Sequence, residues 1–214
     1  MSETDIQSYL DTHLQLTRAI AGLGEEQLKW KQSETTWSVA EVLAHLADHN
    51  IVVSFRIRDI LADTKAQLPA FNQDLWVSGQ HANDSDVYEI LDAFWGLLRY
   101  NGQLFRRLGE AEFDKSGINF KGETVRVRDI IRGFAKHVQT HLNQIERIKQ
   151  AYEAERGGEA GRPATWVPAA ASGEASSCSL PSAGVSASGV PSAGIGSESS
   201  AALSAAASQG GHPA

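Results

Sequence analysis

The chain has a single cysteine in 214 residues, Cys178. One cysteine excludes an internal disulfide framework, so any thiol chemistry needs a thiol supplied from outside. Long apolar runs are missing as well: the longest are a few residues, far short of the roughly 20 needed by a membrane helix. The opening segment MSETDIQSYL is polar and acidic, without the basic and apolar regions of a secretory leader. A cytoplasmic protein is therefore expected. There is no basic block, and 19 Lys and Arg stand against 26 Asp and Glu, for a net charge of −7. That balance argues against a nucleic-acid footprint.

What is present is the composition of an ordinary globular protein, 42% apolar and 21% charged. It is unevenly distributed. Of the 58 residues from Gly157 to Ala214, 43 are Gly, Ala, Ser or Pro and four are charged, and five of the six prolines fall there. Pro181-Ser-Ala-Gly-Val recurs as Pro191-Ser-Ala-Gly-Ile, which is too short a repeat to build a solenoid. So few large apolar side chains cannot offset the entropy of ordering. A folded domain over residues 1–156 and a disordered tail over residues 157–214 are expected.

The first 156 residues read as four helices. Ile6, Leu10, Leu14, Thr17 and Ile20 mark one face of a helix over about Asp5–Leu23. Trp37-Ser38-Val39-Ala40-Glu41 is a helix start: Ser38 caps free amides, Glu41 reaches back, and Trp37 is placed to staple onto Val42. Val39, Val42, Leu43, Leu46, Val53, Ile57 and Ile60 continue its buried stripe. Residues 63–85 lack helical periodicity and are long enough to cross the bundle rather than form a hairpin. Helices over about Asp86–Leu108 and Arg126–Glu155 follow, joined through a loop that reaches Lys121-Gly122, and no useful strand alternation appears. The fold class expected is all-α, a four-helix bundle with a long crossover loop between helices two and three.

Of seven histidines, His212 lies in the tail, His81 in the polar loop, and His13 alone on the first helix. The other four form two pairs, His45/His49 and His137/His141, each spaced by four residues. That spacing places both rings of a pair on one helix face, where two imidazoles can converge on one ion. His137 and His141 share the row of Ile130, Phe134 and Ile145, and His45 borders Leu46 at the edge of a buried stripe. Buried imidazoles need partners, and the apolar stripes supply few. Metal binding, satisfied boundary histidines and a pH sensor all remain open on spacing alone.

Two segments carry a resemblance. Trp37-Ser-Val-Ala-Glu-Val-Leu-Ala-His45-Leu-Ala-Asp48 resembles the second-helix motif of the DinB/YfiT-like superfamily of metalloenzymes. His137-Val-Gln-Thr-His141-Leu-Asn-Gln-Ile145 is similar to its fourth-helix motif. The likeness extends over about residues 5–153, including the loop around Phe71–Trp76 and the Gly122 loop. It implies one divalent ion, zinc or nickel, on His45, His137 and His141, with His49 outside the usual three.

Three neutral ligands leave a coordination position open, the pattern of a catalytic site. The resemblance implies transfer of a low-molecular-weight thiol to small electrophiles in stress or detoxification, with His49 as the nearest candidate base. A metal-dependent hydrolase of small amides or esters is the alternative, as is a non-catalytic metal-binding or dimerisation module. Asn101 is a candidate to orient substrate, Phe71 and Trp76 to form a lid, and Arg99 and Arg128 to meet an anionic thiol. The partner expected is a small molecule, not nucleic acid or membrane, and a homodimer stays open.

Overall fold

The computed structural model of the chain describes the backbone of residues 1–160 and the side chains of residues 1–157. The expectation of a disordered tail lies outside the described residues from 161 onward. Residues 157–160 continue the last helix past the point where the composition changes.

Four helical arms form the bundle. The first is α1 (Glu3–Leu10) and α2 (Thr12–Ala19), joined at Asp11, and a short α3 (Glu25–Lys29) follows. The others are α4 (Val39–Leu61), α6 (Val87–Phe105) and α8 (Val127–Ala160). The α1–α2 arm packs on α6 and α8, and α4 packs on the same two. The expected bundle is thus present, and no helix among the described residues is long and apolar enough to cross a membrane.

The start of α4 is where the capping signal places it. Ser38 Oγ accepts from the Glu41 amide at 3.1 Å, and the Ser38 amide donates to Glu41 Oε2 at 2.8 Å. This box satisfies two of the amides that a helix start leaves free. Lys31 Nζ holds the other oxygen of Glu41 at 2.9 Å. The α4 stripe from Val39 to Ile60 is buried as expected.

The first arm departs from expectation. Its inward face is Ile6, Tyr9, Thr12, Leu16 and Ile20, while Leu14 is 48% exposed and Thr17 faces water. A polar core explains the difference. Tyr9 donates to Asn50 Oδ1 at 2.6 Å and accepts from Asn101 Nδ2 at 2.9 Å, both inside the bundle. Thr12 Oγ1 donates back to the Tyr9 carbonyl at 2.7 Å, a bond that competes with the helical ladder where α1 gives way to α2.

The connection after α4 does cross the bundle. Arg56 Nη2 holds the Pro69 carbonyl at 2.7 Å, and Asn83 Oδ1 accepts from Ser38 at the opposite end of α4 at 2.6 Å. The chain has returned to the start of α4 before α6 begins, so α4 and α6 run parallel. Two turns inside this connection were not expected from periodicity: α5 (Gln73–Gly79), capped by Asn72, and a 3-10 turn over Ala82–Asp84.

Between α7 (Glu110–Asp114) and α8 lies a hairpin of β1 (Ser116–Ile118) and β2 (Thr124–Arg126), paired antiparallel. No alternation in the sequence marks it, because three residues per strand are too few to show one. Gly122 turns it at φ +82°, and at Gly117 a Cβ would stand 2.9 Å from Ile60 Cγ1, so the close approach requires glycine.

Candidate metal centre

α4 and α8 run antiparallel, so His45 meets His141 and His49 meets His137 where they pack. Ring centroids are 4.7 Å apart in the first pair and 4.3 Å in the second. The α4 capping box fixes the rotation of the helix two turns before His45. On α8 the histidines follow Ile130, Ile131 and Phe134, whose burial turns the same face inward. All four histidines are buried, none more than 7% exposed.

Three ring nitrogens converge. His45 Nε2 lies 3.0 Å from His137 Nε2, which lies 3.1 Å from His141 Nε2. One nitrogen from each of the three lies within 4.8 Å of the others. Tetrahedral zinc with bonds of about 2.0–2.1 Å holds its nitrogens roughly 3.3–3.4 Å apart, so the spacing fits a shared ion. The proton positions fit as well. His141 Nδ1 sits 2.7 Å from Gln144 Oε1, an atom that only accepts. The proton is therefore on Nδ1, and Nε2 offers a lone pair toward its neighbours. A cation satisfies three such lone pairs together, which imidazole–imidazole hydrogen bonds cannot.

The electrostatics favour neutral, ligating rings. Burial, then the neighbouring imidazoles, holds His45 far below the ordinary imidazole range. Burial and His141 push His137 down to about 3. Burial lowers His141 although Gln144 pulls the other way. His49 is held low by burial, then by His137 and Arg56.

Aromatic rings enclose the cluster. Trp37 lies 5.0 Å from the His45 ring and stacks at 6.2 Å on His141. Phe71, on the crossover, stacks at 5.8 Å on His45 and at 5.9 Å on His49. Trp76 meets Phe71 edge-on at 4.9 Å and is 40% exposed. Beside His141 a cavity of about 410 Å³ opens between the 30–37 segment, the start of α5 and α8, and Gln144 and Arg147 also line it. That volume suits a small organic molecule.

The structure thus brings His45, His137 and His141 together, with His49 against them. His49 is buried rather than solvent-facing, and its Nδ1 has no hydrogen-bond partner among the described residues. Other candidates are placed elsewhere. Asn101 is locked in the core, its Oδ1 accepting from Ser54 at 2.9 Å and Arg58 at 2.8 Å, so its bonds serve the fold. Arg128 pairs with Glu110 and Asp114, and Arg99 lies over Trp95. His13 stacks on Trp95 at 5.0 Å, and His81 is an exposed turn residue with positive φ. Gln144 and Arg147 carry no role in the sequence reading. Gln144 stands three residues after His141 on one face, a spacing that marks it as a candidate partner.

The family model of the DinB superfamily matches residues 9–145. The chain belongs to that superfamily. Among curated proteins it is 24% identical over 131 residues to one of Oceanobacillus iheyensis, covering 61% of this chain and 75% of that one. It is 27% identical over 132 residues to one of Bacillus licheniformis, with the same two coverages. Both are named "Putative metal-dependent hydrolase". Among solved structures, YfiT from Bacillus subtilis superposes with a TM-score of 0.65 at 18% identity, covering 73% of this chain and 90% of that one. It is described as "a probable metal-dependent hydrolase with an unusual four-helix bundle topology", and the likeness shows the shared fold.

Proposed function

We propose that the chain is a metal-dependent cytoplasmic enzyme that joins an external low-molecular-weight thiol to small electrophiles, with His45, His137 and His141 as ligands to one zinc or nickel ion. The observation that carries this reading is the convergence of three imidazole Nε2 atoms beside a cavity of small-molecule size. When bound, the ion would supply Lewis acidity, bringing the pKa of a thiol or a water toward neutrality. Three neutral ligands leave it uncompensated charge and an open position.

The protein's own groups provide the rest. His49 is the acceptor of the thiol proton: it packs against His137, and its Nδ1 has no hydrogen-bond partner among the described residues. As the thiol sulfur forms its bond to the electrophilic carbon, the carbon–chloride or carbon–oxygen bond breaks and its electron pair leaves with the departing atom. The thiol proton passes from His49 to solvent or to that leaving group. Phe71 packs on His45 and Trp37 on His141.

Hydrolysis of a small amide or ester is the second reading, favoured by the names of the curated relatives. The same histidine then accepts a proton from water. Both are tested on the metal-loaded full chain with a chlorinated aromatic and a series of thiols, alongside esters and amides without thiol. Saturable, metal-dependent conjugation supports transfer. Thiol-independent cleavage moves the assignment to a hydrolase, and no turnover of either kind leaves a metal-binding module.

A further inference from the structure

The cavity beside His141 carries a charge pattern that the metal chemistry does not use. Arg147 stands on α8 six residues beyond His141, so their backbones are about 9 Å apart along the helix. Arg147 lines the cavity and makes no ion pair among the described residues. The other arginines of α8 differ: Arg128, Arg132 and Arg156 each meet a carboxylate. Asp74, from α5, also lines the cavity and likewise has no cationic partner among the described residues. Trp30 and Trp37 supply apolar wall to the same cavity.

We propose that this cavity selects an amino-acid-derived substrate with a free carboxylate, which Arg147 receives while the reacting atom lies at the histidine cluster. A guanidinium presents a fork that matches a carboxylate in two parallel hydrogen bonds. One positive and one negative side chain in the lining match the two charges of a zwitterion. This assignment rests on the thiol reading above and narrows it to thiols that carry a carboxylate.

The test uses the full chain loaded with cobalt, one ion per chain by elemental analysis. Cysteinylglycine and cysteinylglycinamide, which differ only in the terminal carboxylate, are titrated while the sulfur-to-cobalt absorption band is followed. The acid is expected to bind about ten-fold tighter than the amide, the size of effect a charge-assisted hydrogen bond at a part-exposed site supports. In Arg147→Gln that preference should vanish, with metal content and affinity for the amide unchanged. Equal affinities in the unaltered protein, or a preference that survives in Arg147→Gln, would overturn the assignment of Arg147. No band with either compound, or with mercaptoethanol, would overturn the thiol reading itself and this inference with it.

Discussion

Gln144 offers the sharpest check on how the histidine cluster is built. Its Oε1 lies 2.7 Å from His141 Nδ1 and fixes the tautomer that points the Nε2 lone pair at His45 and His137. Gln144→Leu keeps a helix-compatible side chain of similar length and removes the acceptor. In the metal-free protein the loss is one hydrogen bond at a half-buried site, about 1 kcal/mol. In the metal-loaded protein a further cost appears, because removing a partner that orients a ligating histidine weakens metal binding about 10–100-fold. That factor is about 1.4–2.7 kcal/mol. At a fixed free-metal concentration well above Kd, the same amount is lost from the stability that the metal confers. For a domain of this size it lowers Tm by roughly 3–10 °C beyond any change in the metal-free form. The assay is competition with a chromophoric chelator for zinc, paired with melting curves with and without the ion. Gln144→Glu, which keeps an acceptor in the same place, should retain affinity. If Gln144→Leu binds zinc as tightly as the unaltered protein, His141 does not ligate through Nε2 and the geometric argument fails.

Substituting His45, His137 or His141 by Ala should each remove most of the bound ion by elemental analysis, while His49→Ala keeps it; equal loss in the His49 variant would mean a different ligand set. Acid should destabilise the metal-free protein. His137 is pushed from 6.5 to about 3 on folding, so below pH 6.5 the unfolded chain takes up a proton that the folded one refuses. At pH 5.5 this one residue costs about 1.4 kcal/mol relative to pH 8, and His45, His49 and His141 act in the same direction. A urea midpoint that is the same at pH 7.5 and 5.5 would contradict it. Tyr9→Phe removes the hydroxyl shared by Asn50 and Asn101 and should cost about 1–3 kcal/mol in denaturant unfolding, with the metal content unchanged because the network does not touch the cluster.

The two histidine pairs were legible because helical spacing and burial reinforce each other. Four residues apart on rows that also hold Val42, Phe134 and Ile145, they had to share the interior with apolar neighbours, and buried imidazoles need partners. The capping box at Ser38 was legible for a similar reason, since the side chains that act lie within four residues of one another. The inward face of α1 and α2 was not. Tyr9 and Thr12 look polar in a linear pattern, and what makes them core residues is Asn50 and Asn101, 41 and 92 residues away from Tyr9. Periodicity weighs each residue by its own hydropathy and carries no record of a distant partner that satisfies a hydroxyl.

The same limit explains why the histidine cluster was readable while its surroundings were not. The histidines lie on two long helices whose rotation is fixed by their own buried stripes. The cavity wall is drawn from the Trp30–Trp37 segment and the start of α5, neither of which has a period to read. Trp37 reads as a local staple, yet it stacks on His141, more than 100 residues on, because the crossing of α4 and α8 brings them together. Arg147 reads as one more charge on a solvated helix face. Only the packing of α5 and the 30–37 segment beside α8 turns that face into a wall, where Arg147 meets no carboxylate among the described residues. In the proposed reading a charged residue gains its role from the elements that come to lie against it, so the groups that would select a substrate are a property of the assembled bundle, while the histidines that would hold an ion are already present in each helix.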